Sequence, residues 1–194
     1  MAVPASSQHP RGYGILLLTL LLKALATTAS ACSHLRPQDA TFSLDSLQLL
    51  RDMNPSPPQL CQQHSALPCS FNDTIPDTSN TWQTDKTTHD ILLDLFKILS
   101  GPSTPAHWID SQRQSLLSQI HRYTQRLQQC LAISNTRSRT RWPRNLNLTI
   151  KKHFSCLQTF LRDNDYSACA WDLVLLQARD WFLHINNLTS NTRT

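Results

Sequence analysis

The chain has 194 residues, 40% of them hydrophobic and 16% charged, with a formal net charge of +5; that is enough apolar material for one domain with its own core. Glycine occurs only at Gly12, Gly14 and Gly101, and glutamate is absent. Glycine-rich phosphate loops, His-Glu-x-x-His zinc proteases and Glu-x-x-His di-iron bundles are thereby excluded.

Residues 1–31 read as a secretory signal. Arg11 precedes the apolar run Ile15 to Leu22, and Ala29-Ser30-Ala31 supplies a small-x-small cleavage pattern. The run falls far short of the roughly 20 apolar residues that span a bilayer, and no later stretch is long and apolar enough to anchor in one. The expected mature chain, 32–194, is an exported domain with no membrane insertion. Losing Arg11 and Lys23 lowers its net charge from +5 to +3, too modest a surplus for a dedicated nucleic-acid binder.

Beyond the signal the apolar period is helical. Helix α1 is predicted over about 40–53 on Phe42, Leu44, Leu47 and Leu50. A proline-rich segment without helical period follows, from about Asn54 to Gln83; a loop of that size is usually functional. Helix α2 is predicted over about 84–100 on Ile91, Leu92, Leu95, Ile98 and Leu99, opening with a capping-box-like Thr87-x-x-Asp90 and stopping at Gly101-Pro102. Helix α3 is predicted over about 105–131, with Pro105 at its first position and Ile109, Leu116, Ile120, Tyr123, Leu127 and Cys130 on one face. Helix α4 covers about 143–162 on Leu146, Ile150, Phe154, Leu157 and Leu161. Helix α5 covers about 168–188 on Trp171, Val174, Ala178, Trp181, Phe182 and Ile185.

No strand alternation or internal repeat is visible, so the fold class is all-α. The short α2–α3 and α4–α5 connections imply antiparallel neighbours. The long α1–α2 connection has the reach to join two parallel helices overhand, the mark of cytokine-type bundles.

Six cysteines, Cys32, Cys61, Cys69, Cys130, Cys156 and Cys169, pair by default in an oxidising compartment, but spacing does not choose among 15 connectivities. Asn72, Asn147 and Asn187 head Asn-x-Ser/Thr acceptors for N-glycans. The run from Arg137 through Arg139 and Arg141 to Arg144 is either a solvated basic loop or a contact for heparan-type polysaccharide. His34, His64, His89, His107, His121, His153 and His184 form no i, i+4 ligand pair, and we expect surface or half-buried roles and no metal site. Asp163 and Asp165 flank the α4–α5 turn, a poor place for a catalytic carboxylate pair. No cofactor is expected and no catalytic set can be assembled, so the chain reads as a non-enzyme.

His153-Phe154-Ser155-Cys156-Leu157-Gln158-Thr159-Phe160-Leu161, followed after seven residues by Cys169-Ala170-Trp171, resembles the signature of the type I interferons, and the chain as a whole is similar to the bird-type interferon alpha. The resemblance implies a bundle of about five helices with a long overhand α1–α2 loop and the disulfides Cys32–Cys130 and Cys61–Cys169. It leaves Cys69 and Cys156 over, and of the two choices we expect them to pair rather than stay as free thiols. It also implies signalling through a two-chain cell-surface receptor to kinases, transcription factors and an antiviral state, with one receptor chain bound by the α1–α2 loop and the outer face of α5. On this sequence those positions are Gln62, Gln63, Ser65, Leu176, Arg179, Asp180 and Leu183.

Helix α5 supports that reading independently. Asp172, Leu176, Arg179 and Leu183 cluster away from the inner stripe, so its leucines are either covered within the domain or partnered from outside. Where the family commonly carries an arginine four residues after the signature tryptophan, this chain has Leu175. The competing readings are a different secreted helical-bundle cytokine and, in another class, a secreted helical carrier protein. We expect the domain to be a monomer.

Overall fold

The computed structural model describes residues 17–18, 35–54, 69, 81–135 and 144–191. Beyond residue 34 it contains α1 (Leu35–Met53), α2 (Thr81–Leu99), α3 (Asp110–Asn135), α4 (Arg144–Asp163) and α5 (Ala168–Asn191), with no strand among the described residues. None of these helices is long and apolar enough to cross a membrane.

Three predicted helix starts differ from the structure: α1 begins at Leu35, five residues before the expected start, and α2 and α3 are displaced for local reasons. Helix α2 begins a turn earlier than expected, and Thr87 is a fully buried interior residue rather than a cap. Thr84, Thr87, Thr88 and Ile91 continue its buried stripe, and the Thr87 hydroxyl satisfies itself on the Gln83 carbonyl at 2.7 Å. Helix α3 begins at Asp110, so Pro105 is not its first residue. The Ile109 amide donates to the Met53 carbonyl at the end of α1, 2.9 Å away. An amide held by another helix cannot bond its own i−4 carbonyl, and the helix starts just after it. Ile109 is accordingly exposed rather than on the core face.

The α4–α5 turn shows how a chain poor in glycine ends a helix. The Tyr166 amide bonds Leu161 O at 2.8 Å and the Asp165 amide bonds Arg162 O at 3.1 Å, the paired closure of a Schellman motif. Asp165 and Tyr166 take φ of 51° and 52°, the left-handed region that glycine usually fills and that aspartate tolerates. Ser167 then caps α5, its hydroxyl accepting from the Ala170 amide at 3.3 Å.

Contacts fix the directions. Phe42 stacks on Tyr123 with ring centroids 4.0 Å apart, and Met53 reaches Ile109, so α1 and α3 are antiparallel. Phe96 meets His121 and Arg113 Nη1 donates to Leu99 O, so α2 and α3 are antiparallel too. Helices α1 and α2 are therefore parallel, as an overhand connection requires. Phe42 against Phe182 and Asn54 against Asp172 set α1 antiparallel to α5. Helix α1 packs on α3 and α5, while α2 packs on α3, α4 and α5.

The core runs the length of the bundle. Trp171, Trp181, Phe182, Ile91, Leu92, Leu116, Ile120 and Leu157 are among its fully buried side chains. His153 is buried at 8% exposure, deeper than the surface or half-buried role expected of it, with its ring edge-on to Trp181 at 5.3 Å. Leu44, expected on the apolar face of α1, is 59% exposed. Cys69 and Cys156 form a disulfide with Cα atoms 5.7 Å apart, tying the α1–α2 connection to α4. It spans 87 residues, a loop for which the chain-entropy model gives about 4–5 kcal/mol.

On α2, Asp90 is the acceptor for Lys86 and has His89 Nδ1 at 3.1 Å. Burial alone would push this carboxyl up, but the hydrogen bonds from His89 and Lys86, with their charges, outweigh it and hold it below the usual carboxylate value. A depressed folded value stabilises the fold above the unfolded carboxylate pKa, about 4, and that stability is lost as pH falls through the lowered folded value. Urea midpoints of Asp90→Asn should therefore lie below the parent's at neutral pH and converge with them in acid. A gap that stays constant with pH would contradict this assignment.

Candidate functional site

The inner stripe of α5, Trp171, Val174, Ala178, Trp181, Phe182 and Ile185, is buried throughout. The stripe beside it is not. Leu176 and Leu183 keep 41% and 40% exposure, Arg179 and Asp180 are exposed, and Leu175 is half-buried. Facing them from α1 are Leu47, Leu50, Arg51 and Asn54, and the two helices enclose an open groove of about 410 Å³ that Asp172, Leu175, Leu176, Arg179 and Leu183 complete.

The groove has a fixed end. Asn54 Nδ2 donates to Asp172 Oδ1 at 2.9 Å across 118 residues of sequence, joining the end of α1 to the start of α5. One residue away, the Trp171 indole N–H donates to Ser103 O at 2.9 Å, and its ring meets Trp108 edge-on at 5.0 Å. The Cys-Ala-Trp run thus pins the α2–α3 connection to the head of α5. Along the rest of the groove, Arg51 Nη2 donates to Gln48 Oε1 and Gln48 Nε2 donates to Asp52 Oδ1, each at 2.8 Å. Asp180 accepts from Gln177 Nε2 at 3.3 Å. The floor is therefore leucine and the margins carry both signs of charge. Such a surface can hold a folded partner through apolar anchors inside a polar rim. Among the described residues no three His, Cys, Asp or Glu side chains converge to hold a metal ion.

The structure brings Leu176, Arg179 and Leu183 to this groove, while Asp180 lies beside it. Gln62, Gln63 and Ser65 lie outside the described residues, as do Asn72, Cys32, Cys61, Arg137, Arg139 and Arg141. Arg144 opens α4, Asn147 sits half-buried in its first turns, and Asn187 is exposed near the end of α5. Cys130 and Cys169 are each disulfide-bonded. Sequence reasoning missed the α1 wall. Its signal was present in Leu47, Arg51 and Asn54, which recur at helical spacing beside the Phe42–Leu50 core stripe, just as the second stripe does on α5.

Comparison with known proteins gives a consistent result. The interferon alpha/beta domain model matches residues 35–192. The chain is 83% identical to chicken (Gallus gallus) interferon type A1/A2 over the full length of both. It is 77% identical to turkey (Meleagris gallopavo) interferon, again over both full chains. Chicken interferon type B is 51% identical over 185 residues, covering 95% of this chain and 89% of that one. Among solved structures, zebrafish interferon 1 superimposes with a TM-score of 0.69 at 20% identity, covering 82% of this chain and 99% of the other. That match supports the fold alone; the sequence matches go further, and on them this chain belongs to the interferon alpha/beta family.

Proposed function

We propose that this chain is an exported antiviral cytokine that works by binding alone, seating the α1–α5 groove on one chain of a two-chain cell-surface receptor. The observation that carries this reading is the half-exposed leucine stripe on α5, set directly beside a fully buried one. Leaving two large apolar side chains at about 40% exposure on a rigid helix next to a groove is what a docking surface requires. The full-length likeness to chicken interferon type A1/A2 supplies the kind of partner. Leu175, where the family commonly has arginine, moves the basic contact to Arg179, one turn further along the same helix.

In this reading residues 1–31 are removed on export, the mature domain is a monomer, and Asn72, Asn147 and Asn187 are glycan acceptors. The run Arg137, Arg139, Arg141 and Arg144 is a second, weaker contact for heparan-type polysaccharide. Cys32–Cys130 and Cys61–Cys169 are the remaining disulfides, the second fastening the α1–α2 loop beside the head of α5. Non-reducing peptide mapping should recover both pairs, and a Cys32–Cys61 peptide would overturn this topology.

The function is tested with purified 32–194 on cultured chicken cells challenged with virus. Protection is expected at sub-nanomolar concentration and should disappear with excess soluble receptor ectodomain. Inactivity, or protection indifferent to the competitor, would refute the reading.

A further inference from the structure

Asn187-Leu188-Thr189 is an acceptor for an N-linked glycan, and its place on α5 bears directly on the groove. At 100° per residue, Asn187 lies about 20° around the helix from Leu176 and about 40° from Leu183. Along the axis it stands about 6 Å beyond Leu183, a little over one turn. The burial pattern agrees: Asn187 is exposed, while Leu188 and Thr189 are buried. The antiparallel register of α1 and α5, set by Asn54–Asp172 and Phe42–Phe182, closes the groove at the Asp172 end and leaves Leu183 and then Asn187 toward the other.

The acceptor at Asn147 is placed differently. It lies on α4, which packs on α2 and α5 and makes no contact with α1. The two acceptors therefore belong to different sides of the bundle, and only Asn187 is in line with the exposed leucines.

We propose that an N-glycan on Asn187 attenuates docking at the α1–α5 groove by standing over its open end, in line with Leu176 and Leu183. The inference rests on the reading of that groove as receptor-binding. In the modification, Asn187 Nδ2 forms the bond to the anomeric carbon of an oligosaccharide and gives up one amide proton as the lipid pyrophosphate carrier leaves. The bulky, hydrated product occupies solid angle through which a partner must approach. Such an obstacle narrows the set of productive encounters, so its effect falls mainly on the association rate. The Thr189 hydroxyl is buried and bonds Ile185 O at 2.9 Å and Asn186 O at 3.1 Å. It is sequestered once α5 packs, which assigns the modification to the chain before folding.

The test uses full-length chain secreted from avian cells, with occupancy of each acceptor read by mass spectrometry. Binding of soluble receptor ectodomains is compared for the parent, Asn187→Gln, Asn147→Gln and Leu176→Asp/Leu183→Asp, before and after enzymatic removal of N-glycans. Asn187→Gln should bind about 3- to 10-fold more tightly through a faster on-rate, and Asn147→Gln should bind like the parent. Glycan removal should raise the parent to the level of Asn187→Gln and leave Asn187→Gln where it was. Asn187 without sugar, or equal affinity with and without it, overturns the proposal while the leucine variant's loss of binding keeps the groove reading intact. Undiminished binding by the leucine variant overturns the groove reading, and this proposal with it.

Discussion

Replacing Trp171 with alanine is expected to lower folding stability by about 3–5 kcal/mol, the usual cost of emptying a buried tryptophan site. Trp171 is 1% exposed and ties α5 to two points of the α2–α3 connection. It meets Trp108 at 5.0 Å and donates its indole N–H to Ser103 O at 2.9 Å. Alanine leaves a cavity at the junction of α5 with the α2–α3 connection and frees the Ser103 carbonyl. Ser103 is exposed, so water can take the vacated hydrogen bond and the cavity accounts for most of the loss. Trp171→Phe separates the two effects. It keeps most of the apolar volume but has no donor, and should cost about half as much or less. Urea unfolding followed by far-UV circular dichroism measures both. A loss below about 1 kcal/mol for Trp171→Ala would mean the site collapses without consequence and that the signature tryptophan has no structural role.

The same residue marks the boundary between what sequence could and could not reveal. Helical period alone placed Trp171 with Val174, Ala178, Trp181, Phe182 and Ile185 on one inner stripe, and all six are buried. Burial of a stripe is encoded locally, by spacing along one helix. The start of α3 depends on partners distant in sequence. Pro105 is a good first helical residue by propensity, yet an amide captured by Met53 O and a tryptophan drawn to Trp171 hold 105–109 in turns. Neither partner is visible in the segment itself.

Two other features were hidden for a different reason. The α4–α5 turn uses Asp165 and Tyr166 at positive φ, where sequence rules look for glycine or asparagine. The α1 wall of the groove was overlooked because Leu47 and Leu50 were assigned wholly to the core. Whether a leucine faces a neighbour or a groove depends on which helix lies alongside, and α1 meets α5 only after a connection that spans most of the chain. Parallel α1 and α2, by contrast, were legible early, because the length of their connection constrains direction directly.

The largest functional effect is expected from Leu176→Asp combined with Leu183→Asp, which, on the proposal that a receptor chain docks on α5, should weaken binding to that chain by about 100- to 1,000-fold. Each substitution removes an apolar anchor and forces a carboxylate to lose water inside a docked interface, and central anchors of this kind cost 2 kcal/mol or more apiece. The two residues stand two turns apart, about 10 Å along the helix, so their losses should nearly add, to about 3–4 kcal/mol. Both side chains are about 40% exposed in the free protein, so the isolated fold should change by less than about 1 kcal/mol. Binding and folding are thereby separable. Leu93→Asp supplies the control: Leu93 has nearly the same exposure, 39%, but sits on α2, which makes no contact with α1. It should leave binding to that receptor chain within about twofold, the scale of a surface change outside an interface. Arg179→Ala, lying between the two leucines, should cost about 1–2 kcal/mol if it carries the basic contact displaced from position 175. Immobilised receptor ectodomain and a concentration series of each variant measure all three. Full binding by the double leucine variant with an intact thermal transition would move the docking surface off α5. A loss shared equally by Leu93→Asp would show that added negative charge, and not the groove, governs recognition.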